Sequence, residues 1–381
     1  MIRVGFIGAV SKEWMGGLNY FNNLLFALNQ IGKKELEIFV FVGKKTDIEI
    51  KRMFQKYAIV IEDSIFDRKS LKWLLMKIEQ KIFKTNFILS SLLKKFNIQV
   101  LSHASIVNLN GIKTINWIPD FQHIHLPQMF SSEEIKRRDE SFMKIIKRSD
   151  LVALSSYDAL KDFKNFAPEY IKKAKVLQFV SQPYGKYFDL NENDKKRVLE
   201  KYGFATDFYY IPNQFWKHKN HMLVFKAIKE LKKEGLEFSL VCTGHLDDYR
   251  NKSHISDIKD FIKNNNLEKN INLLGLVDYE DVFALIKFSK AVINPSLFEG
   301  WSSTVEECKS VGKNMILSDL NVHKEQYPEA AFFERNSVES LINILKNYKE
   351  ENSGDILESV EIRTKKFAQK YVYIAREVLN A

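Results

Sequence analysis

Cysteine is nearly absent from this chain. Cys242 and Cys308 are the only two among 381 residues. Two cysteines exclude a disulfide framework and a zinc site made of cysteine alone. They fit a reducing, cytoplasmic compartment, with both thiols packed in the core. Glycine (15) and proline (7) are scarce too, which excludes collagen-like and linker-rich architectures. No apolar run approaches the ~18 residues of a membrane span. The N-terminus, MIRVGFIGAV, lacks a basic region followed by a long apolar core and a small-residue cleavage site, so it reads as a first strand and not as a signal peptide. The G-x-G-x-x-G of dinucleotide enzymes is missing, because Gly5 and Gly8 do not complete it. What is present is a globular composition, 45% apolar and 28% charged. The length suits two domains of roughly 150 residues or more each. A net charge of +10 favours anionic partners: nucleic acid, acidic membrane or phosphorylated small molecules.

Apolar runs alternate with helical patterns along the whole chain. Residues 2–8 read as a strand buried on both faces, and a loop with Gly16 and Gly17 follows. Leu18, Phe21, Leu24, Leu25 and Leu28 then recur at helical spacing. Further strands are expected at residues 35–43, 58–62, 98–103, 113–118, 151–155 and 176–180, with a helix at 133–148. A polar break at 191–194 opens a second series. Its strands are expected at 208–211, 238–243, 271–274, 291–294 and 314–318, and its helices at 218–233, 253–266, 279–289 and 304–311. Residues 353–380 read as a closing helix. The pattern predicts an α/β fold with two Rossmann-like halves and a boundary near 181–192.

The most informative stretch is residues 294–311, NPSLFEGWSSTVEECKSV. A strand ends at Pro295, a short loop holds Glu299 and Gly300, and a helix begins near Ser303. Ser302, Ser303 and Thr304 lie at that start, where unpaired N–H groups and the positive dipole end suit a phosphate. Glu299 stands before the helix and Glu307 about one turn inside it. The plainer reading makes Ser303 an N-cap, Glu306 its capping-box partner and Glu307 a solvated helix residue.

The spacing E-x7-E of Glu299 and Glu307, after an apolar strand and PSLFEG, resembles the signature of family 4 glycosyltransferases, and the order of elements fits over nearly the whole chain. The resemblance implies a GT-B architecture: two Rossmann-like α/β/α domains whose parallel sheets face each other across a cleft. Residues 1–185 would bind acceptor, 186–352 would bind nucleotide sugar, and 353–381 would form a C-terminal helix returning to the first domain. By the same resemblance Glu299 bonds donor-sugar hydroxyls and Glu307 the ribose. The family's arginine-and-lysine pair for the donor diphosphate falls in residues 211–221, IPNQFWKHKNH. Lys219 occupies the lysine position, but Gln214 stands at the arginine position and brings no charge. Lys219 then carries more of the neutralisation, with His218 or Lys217 nearby to help. The plainer reading is a basic helix start with Lys219 in solvent. Gly16 and Gly17 are either a loop needing positive φ or a close backbone approach to the diphosphate.

The expected wall of the first domain includes residues 116–127, NWIPDFQHIHLP, following a strand where open α/β sheets place ligands. Asp120 and His123 are candidates for contact with sugar or acceptor, and His103 is a further one. His123 and His125 find no third ligand at useful spacing, so no metal site is expected. Nor is there any D-x-D, the carboxylate pair with which the GT-A class holds a metal on its donor. The expectation is a metal-independent site without a cofactor, the nucleoside-diphosphate sugar being a substrate. Lys219 and helix N-terminal N–H groups would stabilise the leaving diphosphate.

Residues 66–96 carry eight basic side chains against Asp67 and Glu79. Leu71, Leu74, Leu75, Ile78, Ile82 and Leu89 gather on one helical face and are expected to bury on the sheet. Trp73, Met76, Phe83 and Phe87 gather opposite, flanked by Lys72, Lys77, Lys81 and Lys84. That second face suits anionic lipid; the alternative is a helix buried on two sides with snorkelling lysines. A continuous apolar ridge and the lack of a base-reading motif argue against nucleic acid. The combined expectation is a retaining glycosyltransferase, peripheral at the inner face of a bacterial membrane, acting on a lipid-linked or polysaccharide acceptor in surface-glycan synthesis. A GT-B nucleotide-sugar epimerase and a non-catalytic sugar-nucleotide-binding scaffold are the rivals.

Overall fold

Strands form where the apolar runs are continuous, and their pairing follows from the crossover helices between them. The computed structural model describes residues 1–8, 15–32, 34–204, 207–248, 250–349 and 358–380. The chain divides into two units. The first comprises 1–124, 131–181 and 360–381; the second comprises 125–130 and 182–359.

The first unit holds β1 (Ile2–Ile7), β2 (Leu36–Val42), β3 (Ile59–Glu62), β4 (Val100–Ser102), β5 (Lys113–Ile118), β6 (Leu151–Leu154) and β7 (Ala174–Val176). All pairs are parallel, in the order β3-β2-β1-β4-β5-β6-β7. The second unit holds β8 (Tyr209–Pro212), β9 (Leu240–Thr243), β10 (Ile271–Gly275), β11 (Val292–Asn294), β12 (Met315–Ser318) and β13 (Ala331–Phe333). Its order is β10-β9-β8-β11-β12-β13, again parallel. Each sheet therefore reverses direction between its first and fourth strands, the doubly wound arrangement. The α/β expectation with two Rossmann-like halves holds. β13 was not expected.

Cores lie on both faces of each sheet. In the second unit one cluster joins Ile211, Cys242 and Ile293 to Leu223, Ile228 and Leu231 of the helix His221–Lys233. The other joins Tyr210, Val241 and Val292 to Phe283, Val305 and Cys308. Both cysteines are buried, as expected. In the first unit the helix Val360–Asn380 buries Phe367, Tyr371, Ile374 and Val378 and packs against the helix Met15–Gln30 and β5.

Two local expectations are corrected. Gly16 and Gly17 are not in a loop but in the first turn of the helix Met15–Gln30, without positive φ. A Cβ at Gly16 would meet open space.

The single basic helix is two, Leu71–Ile82 and Phe87–Lys95, broken at Lys84 with φ +54. The faces of the first are the reverse of those expected. Met76 and Glu79 are buried and Trp73 packs against the core around Phe39, Phe41 and Leu101. Leu71, Leu74, Leu75, Ile78 and Ile82 point to solvent. The reason is Glu79. Its carboxylate accepts from Ile88 N (3.0 Å), Phe87 N and Thr85 Oγ1 (2.8 Å), capping the second helix from within. Glu79 must face inward to do this, and Met76 and Trp73, three and six residues earlier, turn inward with it. Phe83 and Phe87 are exposed and Leu89 is buried. No helix among the described residues is long and apolar enough to cross a membrane.

Candidate functional site

The direction switch of the second sheet lies between β8 and β11, where open α/β sheets leave a crevice at the carboxyl ends of the strands. The chain leaves β8 at Pro212 and runs through Asn213 and Gln214 into a short 3-10 turn, Lys217–Lys219. It leaves β11 at Asn294 and runs through Ser296 to Glu299. Lys219 Nζ and Glu299 Oε1 meet at 2.6 Å, with both side chains largely buried. Ser296 Oγ lies 2.7 Å from Glu299 Oε1 and from Asn294 Oδ1, so its single proton serves one of them at a time. Burial by itself would raise the Glu299 pKa. The Lys219 ammonium, the His323 ring and the bonds from Lys219 and Ser296 outweigh it and hold the carboxyl at about 2. Glu299 is thus an anion at any physiological pH. The solvated reading of Lys219 does not hold.

The helix Ser303–Ser310 begins directly beyond. Ser302, not Ser303, is its N-cap, accepting from Val305 N at 3.4 Å. The expected capping box with Glu306 is replaced by Gln326, which accepts from Ser302 N (3.1 Å) and donates to Ser302 O (2.8 Å). Thr304 Oγ1 bonds Asn213 Oδ1 (3.2 Å) and Asn294 Nδ2 bonds Ser302 Oγ (3.1 Å). Ser302 and Thr304 are therefore spent on holding the loop ends together. Ser303 is half-buried at the helix start, beside Gly300 in the preceding loop. Glu307 is 8% exposed and has neither a hydrogen bond nor an ion pair among the described residues. Burial alone pushes its pKa up to about 7. Glu307 is thus largely withdrawn from solvent and accepts from no protein group among the described residues, its oxygens keeping a marginal contact with water.

Gln214 uses its side-chain oxygen to accept from His245 N at 2.9 Å. His218 is buried and its pKa falls to about 3, from burial first and then from the neighbouring Lys219 and Arg250 charges. It is neutral and adds no charge for an anion, against the expectation that it helps Lys219. Lys217 is exposed.

In the first unit, His123 is buried and bonds Asp139 at 2.9 Å, and Asp120 accepts from Gln122 N at 2.9 Å, starting a one-turn helix. His123 is thus tied into its own unit. His125 is exposed and stacks on Phe298, centroids 5.1 Å apart, within the second unit. His103 is a core residue: Tyr20 Oη and Ser102 Oγ each lie 2.7 Å from one of its ring nitrogens, and burial lowers its pKa to about 3. Among the described residues no group of three or more His, Cys, Asp or Glu is placed to hold a metal.

Two neighbours of Glu299 escaped the reading of the motif. Ser296 lies three residues before it in the same loop, and that nearness was the available signal. His323 is fully buried and donates from Nδ1 to Ser318 O at 2.9 Å. It lies in a different helix, Asn321–Gln326, and carries no sequence signal.

Comparison with known proteins follows the same lines. Residues 194–367 match the family described as glycosyl transferases group 1. No curated protein sequence matches the chain. Among solved structures, a glycosyltransferase from Rickettsia africae is similar at 14% identity and TM-score 0.66, covering 99% of this chain and 97% of its own. HepE from Anabaena, solved in complex with UDP and glucose, is similar at 12% identity and TM-score 0.67 over 100% of both chains. The lipopolysaccharide outer core galactosyltransferase WaaB is similar at 14% identity and TM-score 0.58 over 99% of both.

Proposed function

We propose, from the match of residues 194–367 to glycosyl transferases group 1 and from the shared GT-B fold, that the chain is a retaining, metal-independent hexosyltransferase. It takes a nucleoside-diphosphate sugar as donor and a lipid-linked or polysaccharide acceptor in surface-glycan synthesis. The observation that carries the donor reading is Glu307. A mostly buried carboxylate that no protein donor serves is costly to ionise. A pair of ribose hydroxyls supplies the missing donors without any change in the protein.

The other residues take roles around it. Glu299, an ionised acceptor, binds hydroxyls of the donor sugar. Lys219, together with Ser303 and the N–H groups at the start of its helix, holds the diphosphate. Gly300 lets the sugar approach the loop. In the transfer the bond from the anomeric carbon to the diphosphate oxygen breaks, the acceptor oxygen bonds that carbon on the same face, and the acceptor proton passes to the departing phosphate oxygen. Asp120 stands on the acceptor side.

A membrane surface supplies the acceptor. The contacting face is Leu71, Leu74, Leu75, Ile78, Ile82 and Phe83, all exposed, rather than the face bearing Trp73. Lys81 and Lys84 rim it, exposed, and their ammonium groups make no ion pair or hydrogen bond among the described residues. Lys72 is paired with Asp63 (3.0 Å) and Lys77 with Gln80 (2.9 Å) at the edge of the same helix. The face docks on anionic lipid at the cytoplasmic side. The structural likeness to a lipopolysaccharide galactosyltransferase agrees with this setting.

The test is to incubate the protein with a panel of nucleotide sugars and extracted membrane lipid, with and without excess EDTA. The expected result is acceptor-dependent release of nucleoside diphosphate and sugar bound to lipid, unchanged by EDTA. Isomerised donor without acceptor, or donor binding without any transfer, overturns the transferase reading. Loss in EDTA, restored by magnesium, overturns metal independence alone.

A further inference from the structure

Gln214 leaves the diphosphate position one cation short, and the shortage is real in this fold. Lys219 already faces Glu299 at 2.6 Å, His218 is neutral, and Lys217 points to solvent. A diphosphate brought to this turn therefore needs a further positive charge.

The loop after β9 delivers one. Gly244, at φ +136, passes so close to the Asn213 carbonyl that any Cβ there would collide with it. The loop is then stitched to the turn after β8. His245 N donates to Gln214 Oε1 at 2.9 Å, and Phe215 N to His245 O at 3.3 Å. Buried Asp248 accepts from Lys217 N at 2.8 Å and from Arg250 N at 3.1 Å. At the end of this stitching stands Arg250. Its guanidinium lies 5.5 Å from the centroids of both Trp216 and Phe130. Nε is 3.7 Å from Asp248 Oδ1, and Nη2 donates to His218 Nδ1 at 3.3 Å. The side chain is 12% exposed. So a guanidinium is held against two rings, beside the residue that immediately precedes Lys219.

We propose that Arg250 is a donor-binding residue that supplies, from the loop after β9, the charge missing at position 214. The substitution at 214 fits this exchange. An arginine there has no acceptor to offer His245 N, whereas glutamine does, and the His245 bond is what fastens the loop carrying Arg250. Charge has moved from one loop to the next, and the vacated position has become the fastening. A guanidinium also suits the task better than an ammonium, because its planar fork matches two phosphate oxygens and stacks on aromatic rings. The inference rests on the donor-site reading above.

The test measures binding of UDP, GDP and ADP, and of the corresponding nucleosides, to the full-length protein by titration calorimetry at several salt concentrations. For the diphosphate that wild type binds most tightly, Arg250→Gln should lower affinity about 10-fold or more, the usual loss of a charged hydrogen bond. It should also flatten the salt dependence and leave nucleoside binding unchanged. Arg250→Lys should recover part of the affinity. Equal diphosphate affinity in wild type and Arg250→Gln overturns the proposal. So does a parallel loss of nucleoside binding or a lowered unfolding temperature, since a brace for the turn would give that result. If wild type binds none of the three diphosphates, the donor reading itself fails, and this inference with it.

Discussion

Glu299 and Glu307 lie eight positions apart in one motif, and their surroundings drive them in opposite directions. Lys219 holds Glu299 near pKa 2, while burial lifts Glu307 to about 7. The linkage signs follow. Glu299, depressed, stabilises the fold above its unfolded pKa of about 4.3, and that contribution is lost as pH falls towards 2. Glu307, raised, keeps its proton in the fold but not in the unfolded chain between about 4.3 and 7, so it erodes stability as pH rises through that window. Glu307→Gln should therefore make the ligand-free protein more stable above pH 7 and change little at pH 4.5. Ribose hydroxyls favour the ionised form, so nucleotide-sugar affinity should rise between pH 6 and 8 in wild type and stay flat in Glu307→Gln. Calorimetric titration across that range checks it, with Glu299→Gln as the control that keeps the slope. A nucleotide sugar is the right ligand, because its phosphates do not titrate there. A wild-type affinity independent of pH counts against Glu307 as the ribose acceptor. The motif was readable at this scale because one loop and one helix carry it. Arg250 was not, since nothing in the spacing shows that Gly244 lets its loop touch Asn213. Ser302 and Thr304 read as phosphate ligands because hydroxyls at a helix start serve caps and anions equally well, and only Asn213, Asn294 and Gln326 decide between the two.

At the scale of the element, the helix Leu71–Ile82 shows where periodicity runs out. Two apolar stripes lie on it, and a hydrophobic pattern does not say which is inside. The deciding residue is polar: Glu79, whose carboxylate caps the helix Phe87–Lys95 through its Phe87 and Ile88 N–H groups. One acid among many lysines, in step with Met76 and Trp73, was the available signal. The consequence for membrane binding is specific. Replacing Leu71, Leu75 and Ile78 by Ser should weaken sedimentation with anionic vesicles even at low salt and leave the fold intact, since all three are exposed. Lys81→Glu with Lys84→Glu should weaken it chiefly at low salt. Each basic residue near such a surface contributes about 1 kcal/mol, and the field is screened within ~8 Å at physiological salt. Trp73→Ala should instead lower the unfolding temperature, because the ring packs on the core. Co-sedimentation and thermal unfolding of the three variants separate these effects. If the triple Ser variant binds vesicles as wild type does, the exposed stripe is not the contact face.

At the scale of the whole molecule, the alternation of strands and helices made the α/β class legible, since each buried parallel strand announces itself as an apolar run. The grouping of segments was less so. Residues 125–130 belong to the second unit although the chain on both sides belongs to the first. Phe130 packs under the Arg250 guanidinium and His125 on Phe298, contacts that no local pattern announces. Conversely, the helix Val360–Asn380 completes a core made from the other end of the chain. Tyr371 lies 6.0 Å from Phe6, and Ile374 is fully buried. Each unit thus has its own sheet and its own core, and Lys219, Glu299 and Glu307 all belong to the second. Two such units should not unfold in a single step. Ile374→Ala removes a buried side chain from the first unit and should cost it about 2–5 kcal/mol. On the proposed donor reading, a nucleoside diphosphate should bind the second unit and stabilise it by mass action, about 2.7 kcal/mol at 100 times Kd. Scanning calorimetry should then resolve two transitions, one lowered by Ile374→Ala and indifferent to ligand, the other raised by ligand and indifferent to the substitution. The variant should still bind nucleotide at temperatures where its first unit has melted. A single transition that moves with both perturbations contradicts this, because it means that neither core is stable without the other.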